Sequence, residues 1–192
     1  MARLANARDK VIETAEHLFR GQGYAATGLT QILTKSGAPK GSFYHYFPGG
    51  KEELASEVLT RYAARVDQGI KTLGTMFAAN PTGFVAALFS ATGKEMEANQ
   101  WIGCAAQALV QELPPENRRL RRQVQSVYGK WIELVANALR SSCDSDHAAA
   151  DLATLVVAAL TGARTLARAT HSQVPFQTTA EWLQASVFQP KK

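Results

Sequence analysis

The stretch AATGLTQILTKSGAPKGSFYHYFPGGKEEL, residues 25–54, decides the fold. It reads as a short helix with apolar Ile32 and Leu33, a glycine break, a second short aromatic-rich helix, a Gly-Gly stop and a charged restart. Thr30 is expected to cap the first helix, and Gly37 to end it in the left-handed conformation that a residue without Cβ adopts at little cost. Pro39 stands just ahead of the second helix, where a missing N–H costs nothing. Phe43 and Phe47 are four apart, so both face inward and turn Lys40, Ser42, Tyr44 and His45 outward. This is the grammar of a helix-turn-helix. A short helix that exposes Lys, Tyr and His suits a major groove, where those groups meet base edges and phosphates.

The flanks extend the pattern. Upstream, Val11, Ile12, Ala15, Leu18 and Phe19 mark one face of a helix that Gly21-Gln22-Gly23 ends. Downstream, Lys51 opens a long helix striped by Leu54, Val58, Tyr62, Val66, Ile70, Leu73 and Phe77. The run VIETAEHLFRGQGYAATGLTQILTKSGAPKGSFYHYFPGGKEEL resembles the N-terminal domain of TetR-family transcriptional regulators. Matching positions are Ala15, Leu18, Phe19, Gly23, Tyr24, Thr27, Ile32, Gly37, Lys40, Gly41, Phe43, Tyr44, Tyr46, Phe47, Lys51, Glu52 and Leu54. The extra glycine in Phe47-Pro48-Gly49-Gly50-Lys51 and the later Gly103-Cys104-Ala105 are similar to the LmrA/YxaF branch. Lys40, Ser42, Tyr44 and His45 are thus expected on the groove side of double-stranded operator DNA. Thr27, Thr30 and Lys51 are expected on phosphates, with Arg3 and Arg8 helping from an N-terminal arm.

Composition fits an intracellular regulator. The 192 residues carry a net charge of +5, which favours a polyanionic partner without proving one. Its distribution is more telling: up to residue 51, Arg3, Arg8, Lys10, Arg20, Lys35, Lys40 and Lys51 face only Asp9, Glu13 and Glu16. No apolar run is expected to reach the roughly 20 residues of a membrane span, and Met1-Ala2-Arg3 precedes no signal-peptide core, so a cytoplasmic protein without a membrane partner is expected. Cys104 reads as a small buried residue. Cys143 and His147 have a metal-like spacing but no second pair to complete a site, so neither a metal nor a cofactor is expected. Gly37-Ala38-Pro39-Lys40-Gly41-Ser42 has the ingredients of a phosphate loop in the wrong order, and Glu52 and Glu53 would repel a nucleotide beside Gly49-Gly50-Lys51. With no nucleophile elbow or paired catalytic carboxylates in view, no enzyme is expected.

Past residue 80 the chain reads as helices: from Pro81 to about Glu97, Trp101 to Glu112, Pro115 to Ser141, Ser145 to Thr170 and Pro175 to Gln189. Arg118, Arg119, Arg121 and Arg122 invite a second nucleic-acid site. Adjacent Glu112 and Glu116, and the lack of an interleaved stacking aromatic, favour a solvated face instead. The penultimate helix is almost apolar and must bury more than one face. A homodimer is therefore expected through Leu152, Leu155, Val156, Ala159, Ala163 and Leu166 together with Trp182, Leu183 and Val187 of the last helix, as the family resemblance also implies. Phe77, Phe84, Leu88, Trp101, Cys104, Gln107, Val127, Trp131 and Arg164 are candidates to line a mostly apolar pocket for a small-molecule inducer. Resemblance to the LmrA/YxaF branch implies a planar aromatic or hydrophobic one, such as a flavonoid or a drug.

The fold expected is all-α, with a helix-turn-helix DNA-binding domain over residues 1–50 and a ligand-binding and dimerisation domain over 51–192. The function expected is a repressor that such an inducer releases from a near-palindromic operator. A constitutive DNA-binding repressor without a sensor, and a helical interaction module, are the alternatives.

Overall fold

In a computed structural model of the protein, the backbone is described for residues 2–187 and side chains for residues 7–186. Helices account for nearly all of it, and the described residues contain no strand. In chain order they are α1 (Ala2–Gln22), α2 (Leu29–Ser36), α3 (Lys40–Tyr46), α4 (Gly50–Met76), α5 (Pro81–Ala98), α6 (Ala105–Glu112), α7 (Arg118–Leu139), α8 (Asp146–Thr170) and α9 (Val174–Val187). A single 3-10 turn, Arg140–Ser142, follows α7. They form two compact units, Met1–Arg65 with Cys104–Val127, and Val66–Gly103 with Tyr128–Lys192.

In the first unit the short helices exist because of what they bury. Phe43 has no exposed surface and Phe47 retains 1%, and their rings lie 5.3 Å apart; Phe19, Ile32, Leu54 and Val58 are buried in the same unit. Gly37, at φ 70°, ends α2, and Pro39, in extended conformation, precedes α3. The cap of α2 differs from expectation. Gly28 is the capping residue and Thr30 is already inside the helix, so the Thr30 side chain is exposed and caps nothing.

An ionic seam holds α1 against α4. Asp9 pairs with Arg61 at 2.8 Å, Arg8 with Glu57 at 3.3 Å, and Glu16 with both Arg20 and Arg65. The Arg20 and Arg65 guanidinium groups also lie over the Tyr62 ring, at 5.1 and 5.7 Å from its centroid. Arg8 is thereby committed inside the unit, over the Phe47 ring as well, rather than free in an arm as expected; the Arg3 side chain lies outside the described residues.

A contact far apart in sequence joins α6 to the turn after α1. The Ala25 N–H donates to Glu112 Oε2 at 2.6 Å. Gly23 sits under the same carboxylate, with φ +95° and so little space that a Cβ there would come within 2.2 Å of Glu112 Oε1.

The second unit is built from α5, α8 and α9 with the end of α7. Phe84, Phe89, Met96, Val156, Ala163, Phe176 and Leu183 fill its core. Asn80 caps α5 by accepting from the Gly83 N–H at 2.8 Å, and Ser145 caps α8 by accepting from the Ala148 N–H at 3.1 Å. Residues 101–104, expected as helix, are not. Gln100 and Trp101 adopt positive φ (57° and 60°), and the Trp101 N–H turns back to the Met96 carbonyl at 2.7 Å, so α6 starts only at Ala105. The Trp101 ring stacks on His171, itself at φ 48°, with centroids 6.2 Å apart.

Helix α8 also corrects an expectation, being long and apolar enough to cross a membrane, with a mean hydropathy of 1.3 over its most apolar window. Alanine, leucine and valine dominate its length and charges are sparse, so no single strongly apolar run is needed to reach that value. Only 22% of that window is buried within the chain, so most of an apolar helix is left uncovered by its own fold.

Gly23→Ala is expected to destabilise the first unit by about 1–3 kcal/mol, because an added Cβ meets both an unfavourable backbone conformation and the Glu112 carboxylate. Chemical denaturation followed by circular dichroism checks this; a variant as stable as the parent would show that the turn tolerates a side chain.

Candidate nucleic-acid interface

The two buried phenylalanines determine what α3 presents outward. Lys40 and Tyr44 stand one turn apart and both are exposed, Tyr44 by 47%. The Tyr44 ring is braced edge-on against buried Phe43, 5.3 Å between centroids, which limits the conformations of an exposed aromatic group. Together with Thr30, Leu29, Leu33, Thr34 and Ala38, these two residues line a cleft of about 400 Å³ between α2 and α3. Thr30, Lys40 and Tyr44 are therefore brought together. His45 is exposed but lies on the next face of α3, its ring 5.6 Å from Tyr46, and Ser42 is half-buried outside the cleft.

Lys51 opens a second cationic position at the start of α4. Its ammonium lies 4.3 Å from the Tyr24 ring centroid. Burial lowers its pKa from the usual lysine value, against the opposing influence of the Glu112 carboxylate. Tyr24 is pushed the other way, its pKa raised by burial and then by Glu52. Glu53, expected only as a repulsive charge, caps the helix instead by accepting from the Gly49 N–H at 2.7 Å.

Thr27 does not join this surface. It has no exposed area and its hydroxyl donates inward to the Gly23 carbonyl at 2.6 Å, so a phosphate cannot reach it. Tyr24 and Glu112 were not expected at the site. Tyr24 follows a glycine in a turn that periodicity does not resolve. Glu112 lies 87 residues from its Ala25 partner, a separation at which spacing carries no signal.

The expected dimer residues divide. Leu155 (47%), Leu166 (59%) and Trp182 (64%) are exposed, and Leu152 and Ala159 are half-buried. Val156, Ala163 and Leu183 are turned into the core of their own unit, which removes them from any surface; the Val187 side chain lies outside the described residues. Leu155, Ala159, Gly162 and Leu166 follow steps of four, three and four, so they line one face of α8.

The expected sensor residues lie in both units. In the second, Phe84, Leu88 and Trp131 are buried, Phe77 and Trp101 are half-buried, and Arg164 reaches Glu95 at 4.0 Å. Trp101 is occupied by its stack on His171. Cys104, Gln107 and Val127 belong to the first unit, where Cys104 is a buried free thiol at the start of α6. The second unit adds Asp67, not foreseen, whose Oδ1 is buried with no hydrogen-bond partner among the described residues.

Comparison with known proteins agrees with this geometry. Residues 11–58 match the family described as "Bacterial regulatory proteins, tetR family", and residues 81–182 match "Transcriptional regulator LmrA/YxaF-like, C-terminal domain". The chain is 31% identical over 182 residues to the uncharacterized HTH-type transcriptional regulator YxaF of Bacillus subtilis, covering 94% of this chain and 95% of that protein. It is 31% identical over 172 residues to the HTH-type transcriptional regulator LmrA of the same organism, covering 88% and 90%. Among solved structures, the reduced form of Escherichia coli NemR superposes with a TM-score of 0.80 at 24% identity, over 96% of this chain and 99% of that one. A cysteine variant of the TetR-family regulator CifR, complexed with a 26-bp double-stranded operator DNA, superposes with a TM-score of 0.82 at 21% identity, over 94% and 96%. With both segments and nearly its whole length matched, the chain belongs to the TetR family of bacterial helix-turn-helix transcriptional regulators, with a C-terminal domain of the LmrA/YxaF type.

Proposed function

We propose that this regulator is a homodimeric repressor that reads a near-palindromic operator through α3 and lets go when a small hydrophobic or aromatic inducer binds. In this reading residues 1–50 read DNA, residues 51–192 sense and dimerise, and the protein works in the cytoplasm. The observation that carries it is the outer surface of α3, where Phe43 and Phe47 are buried while Lys40 and Tyr44 stand exposed one turn apart beside the α2–α3 cleft and His45 is exposed on the next face. Lysine can donate to guanine edges, and the tyrosine ring offers an apolar surface with a polar tip. Thr30 and Lys51 flank that surface as phosphate contacts, with half-buried Ser42 as a secondary contact.

Two copies are favoured by α8. An apolar stripe in which Leu155, Gly162 and Leu166 are exposed and Ala159 is half-buried, with Trp182 exposed on α9, would be an aggregation hazard on a monomer. Covering it with the same stripe from a second copy pairs two reading heads, as a two-fold operator demands. A sensor is favoured by the unpartnered Asp67 carboxylate oxygen in the unit that also holds Phe77, Phe84, Leu88, Trp101, Trp131 and Arg164. An inducer that favours the wrong head spacing by about 1.4 kcal/mol lowers operator affinity tenfold.

Lys40→Ala or Tyr44→Ala is expected to cost about 1–3 kcal/mol of operator affinity and to change sequence preference, because both face base edges. Lys51→Ala should weaken all sequences alike and shallow the salt dependence by about one unit of slope per protomer. Footprints unchanged by the triple change Lys40→Ala, Tyr44→Ala and His45→Ala would refute the assignment of α3.

Leu155→Asp with Leu166→Asp should give folded monomers of weak operator affinity. Sedimentation that still finds dimers places the interface elsewhere.

In proteins that fold and bind operator, Trp131→Ala and Asp67→Ala are expected to raise the inducer concentration needed for release. Drug-like and flavonoid libraries screened by thermal shift supply the inducer; release at the parental concentration in both variants would exclude this region as the sensor.

A further inference from the structure

We propose that Arg118, Arg119 and Arg122, at the start of α7, form a second phosphate-contact surface that meets duplex DNA flanking the half-site read by α3. The proposal rests on the DNA-reading role of α3 and extends the interface beyond the helix-turn-helix.

The arginines of the first unit differ in what they do. Arg8, Arg20, Arg61 and Arg65 are all committed to carboxylates in the seam between α1 and α4. Arg121 donates to the carbonyls of Pro114 and Leu113, bracing the loop before α7. The side chains of Arg118, Arg119 and Arg122 are exposed and have no ion-pair or hydrogen-bond partner among the described residues. Arg118 and Arg122 stand one turn apart with Arg119 beside them, on the side of α7 opposite buried Leu120 and Val124. Like charges at that spacing repel each other, and the first turn of α7 carries no acidic residue to offset them. A cationic patch that weakens its own helix is relieved by an anion from outside.

Adjacent Glu112 and Glu116 would argue for a self-neutralised surface if both carboxylates faced the patch. Glu112 does not, since it is spent on the Ala25 N–H and sits close enough to Lys51 to influence it. Glu116 alone remains as a local acid, against three unpartnered guanidinium groups.

Placement selects the partner. The segment from Glu112 to Gln123 is pinned to the reading head at both ends, at the turn beside Lys51 and at α4, where the Gln123 side chain donates to Ser56 O and Thr60 Oγ1 (both 2.9 Å) and accepts from Ser56 Oγ (2.8 Å). Arg118 precedes Gln123 by the same five residues that separate Lys51 from Ser56, about 7.5 Å of helical rise in each case. The patch is therefore carried with Lys51 in one compact unit, on the stretch of chain that runs back toward it. A flexible arginine side chain there suits the phosphate backbone, which needs charge and reach rather than base-edge geometry.

The test uses the full-length protein and an operator that it selects from a randomised duplex pool, placed in two duplexes. One ends at the footprint edge of the helix-turn-helix contacts and the other carries ten further base pairs on each side. Affinity is measured against potassium chloride concentration. The parent should show a steeper slope on the longer duplex, by about 0.9 for each added phosphate contact. Replacing Arg118, Arg119 and Arg122 together by Gln should abolish the difference and leave the shorter duplex unchanged, and replacing them by Lys should retain it. Equal parental slopes on both duplexes, or a Gln variant that loses equally on both, overturns the arginine surface while leaving the α3 reading intact. Failure to select any operator overturns the α3 reading, and this proposal with it. Circular dichroism spectra that match the parent confirm that the variants fold.

Discussion

The seven-residue helix α3 cannot sustain itself in water, because so short a helix never repays its nucleation cost. It exists only because Phe43 and Phe47 are buried in the core of the first unit. Much of the first unit can be understood as what that burial demands. Once Phe43 faces inward, helical geometry turns Tyr44 and His45 outward, and Lys40 is exposed at the first residue of the helix. The chemistry of the reading face is in this sense the complement of the core beneath it.

Holding those two phenylalanines in place is the work of α1 and α4, joined by ion pairs in which two of the carboxylates serve two arginines each. Glu16 takes Arg20 and Arg65, and Glu57 takes Arg8 and Arg61. Single exposed pairs contribute little, but shared carboxylates and two cations over the Tyr62 ring order several long side chains at once. The carboxylate of Glu112 adds a longer link, since it ties α6 to the turn between α1 and α2 and lies near Lys51. A shift of α6 would therefore be felt both by the backbone of the turn and by the charge environment of a lysine that we place on phosphate. The second unit contrasts with this ionic construction, being apolar throughout its core and leaving Leu155 and Leu166 of α8 exposed among the described residues.

Much of this was legible in the residues. Gly37 and Pro39 punctuate the helix-turn-helix through backbone constraints that act within a few residues, and the spacing of Phe43 and Phe47 assigns the inner and outer faces of α3. The apolar richness of α8 is likewise plain in its sequence, and only 22% of its most apolar window is buried among the described residues. Where the reading erred, a competing local choice had won. Gly28 caps α2 in place of Thr30, and the left-handed pair Gln100 and Trp101 delays to Ala105 a helix expected to begin at Trp101.

What the sequence by itself determined, then, is the helices, their order and the faces they present, because those follow from periodicity and from glycine and proline stereochemistry over short stretches. The tertiary structure alone decided which members of a face are used. It turned the Thr27 hydroxyl inward onto Gly23, withdrew Val156, Ala163 and Leu183 from the surface, committed Arg8 to the seam and left Arg118, Arg119 and Arg122 unpaired. Each of these outcomes depends on partners brought from distant parts of the chain, and the physical reason is that burial and ion pairing are properties of neighbourhoods in space, which a one-dimensional pattern does not encode.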